Sequence, residues 1–273
     1  MKQLEVLLFN LKNKPHCILP QYANALTHTI EKYLDTMPEG DMSNEDMPMG
    51  SNVKNGISII NINGIIAKRL GVPQTILDLF GIVDLDNIDS QLIAARDNPE
   101  VTAIVLDVTS PGGFITGVQS TAELLADISK IKETAVYSDV LNASAAYFIS
   151  SQANTILNSV DAEIGSIGVY TTIEDWSKAY EMMGVKVNLI KAGKWKAIGE
   201  PSQPLTDEQK AFLQEEVNNT WGTFKSYVTR SRNIKEEDLQ GQTFSGLVAV
   251  EKNLSDGIAN NIQEVISALS SKE

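Results

Sequence analysis

The stretch VTAIVLDVTSPGG, residues 101–113, decides the fold class of this chain. Its first eight residues are almost continuously apolar, which is typical of a strand buried on both faces of a parallel sheet. Further strands are predicted at 56–67, 134–141, 155–160, 164–173 and 185–192. Helices are predicted at 84–97, 115–132, 143–153, 175–184 and 205–231, with a helical hairpin at 246–270. Strands that alternate with helices indicate an α/β fold whose mostly parallel sheet is covered by helices.

The flanking composition divides the chain into three parts. Residues 1–36 are predicted to form an N-terminal helical appendage, and residues 37–55 a flexible acidic linker rich in Pro, Gly and Met. Residues 56–273 then form the main domain. Within it, residues 68–83 are apolar without a clear period, so they are interpreted either as a buried loop or as a groove wall or oligomer contact.

Composition excludes several classes of function. The 273 residues include 22 Lys and Arg against 35 Asp and Glu, a net charge of −13, so we expect no nucleic-acid partner. The single cysteine, Cys17, excludes an internal disulfide and a cysteine-rich metal site. Both histidines, His16 and His28, precede the main domain, which makes a histidine-based triad or zinc site improbable there. No apolar run is long enough for a membrane span and no secretory signal is recognised, so we expect a cytoplasmic protein.

Three segments at the carboxyl ends of predicted strands could carry chemistry, because open α/β sheets place their sites at that edge. Ser110–Gly113 could direct backbone N–H groups at an anion, or could be a plain turn. Ser144 lies between small residues where a helix begins, and could be a nucleophile or an N-cap. The lysines at 191, 194 and 196 could form a solvated face, or one could be a general base once burial lowers its pKa. Nucleotide-binding motifs are not matched.

Taken in order, these motifs resemble the Ser–Lys peptidases of the signal peptide peptidase (SppA) type, which share the ClpP/crotonase fold. The resemblance rests on four motifs: Ser-Pro-Gly-Gly at 110–113, Ser-Ala-Ala-Tyr at 144–147, Ile-Gly-Ser-Ile-Gly-Val at 164–169 and Gly-x-x-Lys at 193–196. It covers about residues 56–260. The segment PHCILPQYANAL, residues 15–26, resembles the one that precedes the core of phage head-maturation proteases, so that branch fits best.

The resemblance implies roles by position. Ser144 matches the nucleophile and Lys196 the general base, with Lys194 and then Lys191 as rivals. Ser166 matches the serine that orients the lysine. The N–H groups of Gly113 and Ala145 match the oxyanion hole, although the family usually has glycine where Ala145 stands.

The implied function is a serine endopeptidase that needs neither metal nor nucleotide cofactor. The resemblance further implies a ring-like homo-oligomer, with a dyad that can be completed across protomers. In a phage setting its substrates or partners would be scaffold, capsid or portal proteins, in the host cytoplasm or the prohead.

Other interpretations stay open. They are a cytoplasmic bacterial SppA-like peptidase, a crotonase-fold acyl-CoA enzyme and a catalytically silent assembly protein. The sequence also leaves open whether residues 1–50 gate the site, recruit substrate or are clipped off.

Overall fold

A computed structural model describes residues 16–18, 20–36, 52–68 and 74–270. Most of the predicted linker and part of the 68–83 segment lie outside these residues. The strands are β1 (His16–Ile18), β2 (Asn52–Lys54), β3 (Ile57–Asn63), β4 (Ile65–Ala67), β5 (Ile82–Asp84), β6 (Ala103–Thr109), β7 (Gly112–Phe114), β8 (Glu133–Ser138), β9 (Leu141–Ala143), β10 (Thr155–Asn158), β11 (Glu163–Gly165), β12 (Thr243–Ser245) and β13 (Gly257–Ile258). The helices are α1 (Pro20–Thr36), α2 (Gln74–Leu79), α3 (Leu85–Asp97), α4 (Val118–Ile128), α5 (Ala145–Ser150), α6 (Ser177–Met182), α7 (Asp207–Ser231), α8 (Gly246–Glu251) and α9 (Ile262–Ser270).

The largest sheet has the strand order β13-β10-β8-β6-β3-β2. All its pairings are parallel except that of β2 with β3. The expected α/β class with a mainly parallel, helix-covered sheet is therefore confirmed.

Strand β6 shows why the apolar stretch folds as it does. Ile104, Leu106 and Val108 are buried in a core that also contains residues of α3, α4 and α5. Ala103 and Val105 are buried in a different core, with residues of α9. Successive side chains of a strand point to opposite faces, so a strand covered on both faces must be apolar at every position that is buried.

Two smaller sheets complete the fold and position the candidate site. One has the order β12-β11-β9 and the other β1-β7-β4-β5. In the second, β1 runs antiparallel along β7, and α1 packs with it. Ile18, Leu26 and Ile30 share a core with Ile65 and Phe114, so these parts of the N-terminal segment are packed against the main body.

Two strand predictions need correction. Residues 185–192 form no strand, and of residues 164–173 only the first two lie in one, at the end of β11 (Glu163–Gly165). Residues 185–192 are apolar enough for a strand, but Ile190 is 95% exposed and no described segment pairs with them. A strand is stabilised by its partners, so an apolar pattern without a neighbouring strand stays irregular.

Candidate active site

Ser144 lies where strand β9 ends and helix α5 begins. Its backbone N–H donates to Gly165 O at 2.8 Å. On the other side of β9, Ala143 N–H donates to Ser110 O at 3.1 Å. Strand β9 is therefore held between the Ser110 segment and β11, and Ser144 is placed at the shared edge of both. The residue is 1% exposed.

The backbone of Ser144 is in an unusual conformation. Its φ is 57° and its ψ is −119°, a combination of backbone angles that residues with a Cβ rarely adopt. Such a conformation costs about 1–3 kcal/mol and persists only where the surrounding structure enforces it. The turn also leaves the Ser144 hydroxyl without a hydrogen-bond partner among the described residues. A strained, unpartnered serine at a strand-to-helix turn has the geometry of a nucleophile.

Ser166 follows the strand that pairs with β9. Ala143 and Gly165 are register partners in parallel strands, so Ser144 and Ser166 each come directly after a paired residue. Ser166 also has a positive φ, 53°, and is 7% exposed. Its N–H donates to Gln242 O at 2.8 Å, which fixes this turn to the C-terminal part of the chain. The structure thus brings the two predicted serines to one edge.

Gly113 lies in β7, which contacts helix α5. It pairs with Ile66 of β4 on one side and with Cys17 of β1 on the other. A Cβ built on Gly113 would lie 1.9 Å from Ile66 O, so no other residue fits without moving the backbone. The absence of a side chain at residue 113 is therefore a requirement of close strand packing.

Ala145 is the first residue of α5, fully buried, and its φ is not positive. Alanine in place of glycine therefore carries no conformational penalty here. Helix α5 is anchored by Tyr147, whose hydroxyl donates to Leu254 O at 2.8 Å. Complete burial raises the pKa of Tyr147, so the phenol stays protonated and keeps this bond.

Lys196, the predicted general base, is exposed, and no hydrogen bond joins its Nζ to the Ser144 hydroxyl. Its backbone N–H donates to Gly193 O at 3.2 Å in a turn segment. The rival Lys194 forms an ion pair with Glu208 at the start of α7 and lies 4.8 Å from the centroid of the Trp195 ring. The segment that carries Lys194 and Lys196 is therefore bound to the start of α7.

Titratable groups elsewhere at the sheet edge are not arranged for metal binding. Burial, with the nearby Asp139 carboxylate, raises the pKa of Asp107 on β6. Within the described ranges, no group of three or more His, Cys, Asp or Glu side chains could hold a metal ion. Within the same ranges, no helix is long and apolar enough to cross a membrane.

Sequence reasoning missed the side chain of Ser110. Its hydroxyl donates to Gly64 O at 2.6 Å and accepts the Gly112 N–H at 3.2 Å. The residue is fully buried. The signal was present in the Ser-Pro-Gly-Gly motif, but the side chain of its serine was given no role.

Comparison with known proteins adds three findings. The model of Peptidase family S49 matches residues 126–273, more than half of the chain. Capsid assembly protease C of Escherichia phage lambda is 27% identical over 241 residues, which cover 87% of this chain and 54% of that protein. Protease 4 of Haemophilus influenzae is 27% identical over 219 residues, covering 77% of this chain and 34% of that protein. The chain thus spans about a third to a half of the length of these curated relatives.

Among solved structures, a mutant of ClpP1 from Listeria monocytogenes superposes with a TM-score of 0.45 at 13% sequence identity. The match covers 74% of this chain and 91% of that one.

Proposed function

The chain belongs to peptidase family S49, and on this premise we propose that it is a serine endopeptidase with Ser144 as nucleophile and Lys196 as general base. One observation carries the proposal: a buried serine with φ 57° and ψ −119° ends a strand beside the Ser-Pro-Gly-Gly turn. That serine lies within the region that the family model matches. Strain of this kind is typical of active sites, where it positions the reacting atom.

The reaction follows from these groups. The amine of Lys196 accepts the Ser144 hydroxyl proton while Oγ forms a bond to the carbonyl carbon of the peptide. The N–H groups of Gly113 and Ala145 stabilise the resulting oxyanion, and each such donor contributes about 2.7–4 kcal/mol. The protonated lysine then gives its proton to the departing amine as the C–N bond breaks. Water hydrolyses the acyl-enzyme and restores the Ser144 hydroxyl.

We place the lysine of each site on a second copy of the chain. Within one chain, Lys196 is exposed and makes no hydrogen bond to Ser144. The segment that leads to it also exposes large apolar side chains: Met182, Met183, Val185, Val187 and Ile190. A second copy that covered these side chains could carry Lys196 to a neighbouring Ser144 and give residues 185–192 a strand partner. The ring-like homo-oligomer expected from the sequence fits this arrangement.

The substrate class is polypeptide, and we propose phage scaffold, capsid or portal proteins within the host cytoplasm or the prohead. The support is the likeness to a lambda phage protein named for capsid assembly. The likeness to Protease 4 keeps a cellular SppA-like peptidase as the alternative. Cleavage of purified capsid and scaffold proteins from the same genome, against cleavage of short host peptides, separates the two.

We further propose that the N-terminal segment gates the site. Strand β1 lies along the edge of β7 at Gly113, and Ser144 is only 1% exposed in this chain. An extended peptide binds most simply by adding a strand to a sheet edge, and β1 holds that edge. Access for a substrate therefore requires β1 to move.

The test is intact-mass spectrometry of wild type, Ser144→Ala and Lys196→Ala after incubation with denatured casein. Cleavage by wild type and its loss in both variants, at unchanged oligomer size, supports the dyad. Lys194→Ala is the matched control, since Lys194 is paired with Glu208, and it is expected to keep activity. Retained cleavage in Ser144→Ala would contradict the proposal. A wild type that neither cleaves nor is phosphonylated at Ser144 by a fluorophosphonate indicates a silent assembly protein.

A further inference from the structure

Ser110 connects three parts of the candidate site. Its hydroxyl donates to Gly64 O, in the turn between β3 and β4, at 2.6 Å. The same oxygen accepts the N–H of Gly112 at 3.2 Å. Its backbone N–H donates to Leu141 O at 2.8 Å, and its own carbonyl accepts the Ala143 N–H. Ser110 is therefore bound to β9, which carries Ser144, and to the segment that carries Gly113.

The segment after Ser110 needs such an anchor, because the backbone dihedral angles of two successive glycines are easily changed. Gly112 has a φ of 93°, a conformation that is open to glycine and rare for other residues. The peptide plane between Gly112 and Gly113 can turn over by opposite rotations about the two bonds that flank it. Such a turn would exchange the Gly113 N–H for a carbonyl oxygen, which repels an oxyanion, and a shift of the whole segment would move the N–H away from the oxyanion.

Contacts on both sides of the glycine pair fix where this peptide plane lies. On the far side, Gly113 is the parallel-bridge partner of Ile66 in β4. On the near side, the Ser110 hydroxyl holds the Gly112 N–H, and it also binds the turn from which β4 starts. The Gly112 N–H belongs to the preceding peptide plane, so the Ser110 hydroxyl acts by fixing position: it holds Gly112, where the Gly112–Gly113 plane starts, against the β3–β4 turn. A shift of the segment would break these buried hydrogen bonds, which is unfavourable.

We propose that Ser110 is a positioning residue of the oxyanion hole: its hydroxyl holds the Gly112 amide so that the Gly113 amide stays directed at the reacting carbonyl. This inference rests on the proposed function. It assigns Ser110 no contact with substrate, so its loss lowers the rate of the covalent step and leaves ground-state binding unchanged. Without the hydroxyl, the Gly112 N–H and the Gly64 carbonyl both lose a buried partner.

The experiment is covalent labelling of Ser144 by a fluorophosphonate, whose phosphoryl oxygen occupies the place of the oxyanion. In Ser110→Ala the labelling rate constant at saturation is expected to fall roughly 10- to 100-fold, while the half-saturating probe concentration changes less than about twofold. Ser110→Thr keeps the hydroxyl and is expected to label within about fivefold of wild type. Ser151→Ala is the matched control, because Ser151 is also fully buried and donates to a backbone carbonyl, Phe148 O at 2.8 Å.

The outcomes separate this inference from the proposed function. A folded Ser110→Ala protein that labels at the wild-type rate overturns the positioning role alone. A loss that appears in the half-saturating concentration, or equally in Ser151→Ala, also overturns it, because a general structural defect would explain either result. A wild type that is not labelled at Ser144 overturns the proposed function itself.

Discussion

Replacing Ser144 by glycine should stabilise the protein relative to replacing it by alanine, because the backbone of this residue is strained. Both variants lack the hydroxyl, so the difference between them isolates the effect of the Cβ at φ 57° and ψ −119°. Alanine keeps the Cβ and the strain of about 1–3 kcal/mol, whereas glycine adopts this conformation freely. Glycine also makes the unfolded chain more flexible, which costs about 0.4–1 kcal/mol.

The net expectation is that Ser144→Gly unfolds with a free energy roughly 0.5–2 kcal/mol higher than that of Ser144→Ala. For a chain of this size, each kcal/mol corresponds to a Tm difference of about 2–4 °C. The measurement is equilibrium denaturation of both variants at one protein concentration, since assembly shifts apparent stability.

Position 151 supplies the control. Ser151 is fully buried at the end of α5 but has an ordinary φ of −60°. There alanine is expected to be more stable than glycine by about 0.5–1 kcal/mol. If Ser144→Ala is as stable as Ser144→Gly while position 151 behaves as expected, the backbone at Ser144 is not strained and that support for the nucleophile is lost.

Three further predictions follow from single side chains. Gly113→Ala should abolish cleavage and lower the denaturant midpoint, because its Cβ would lie 1.9 Å from Ile66 O; wild-type activity in this variant would contradict the close packing. Asp107→Asn should raise Tm at pH 7. That gain should be lost as pH falls from the raised pKa of Asp107 to the ordinary Asp value, because a carboxyl whose pKa is raised by folding destabilises only when ionised. Ile18 is 3% exposed, so Ile18→Asp should release β1 and speed casein cleavage. Tyr22→Asp, at a more exposed residue, is the control. Slower cleavage by a folded Ile18→Asp protein would contradict the proposal that β1 gates the site.

The sequence was informative where local pattern and packing agree. The strand at 101–108 was recognisable because both of its faces are buried, which forces a continuous apolar run. The start of α7 was equally clear. Thr206 and Gln209 form the capping box, in which each side chain binds the other residue's backbone N–H. Such signals are local, so no knowledge of the rest of the fold was needed.

The errors arose where structure depends on distant partners. Residues 185–192 carry a strand pattern, but a strand needs a neighbour, and the part of the chain that the structure describes supplies none there. The positive φ of Ser144 and Ser166 could not be read from residue types, because neither serine nor its neighbours require it. The role of Ser110 depends on Gly64, a contact between residues 46 positions apart.

The proposed Ser144–Lys196 dyad, completed between copies, is tested most directly by mixing two inactive variants. Ser144→Ala and Lys196→Ala are dissociated together, allowed to reassemble at equal concentration and assayed on denatured casein. If each site takes its serine from one copy and its lysine from another, random mixing should restore up to about a quarter of the wild-type activity. Activity that stays at the level of the separate variants, after mixed oligomers are shown to form, would contradict the account.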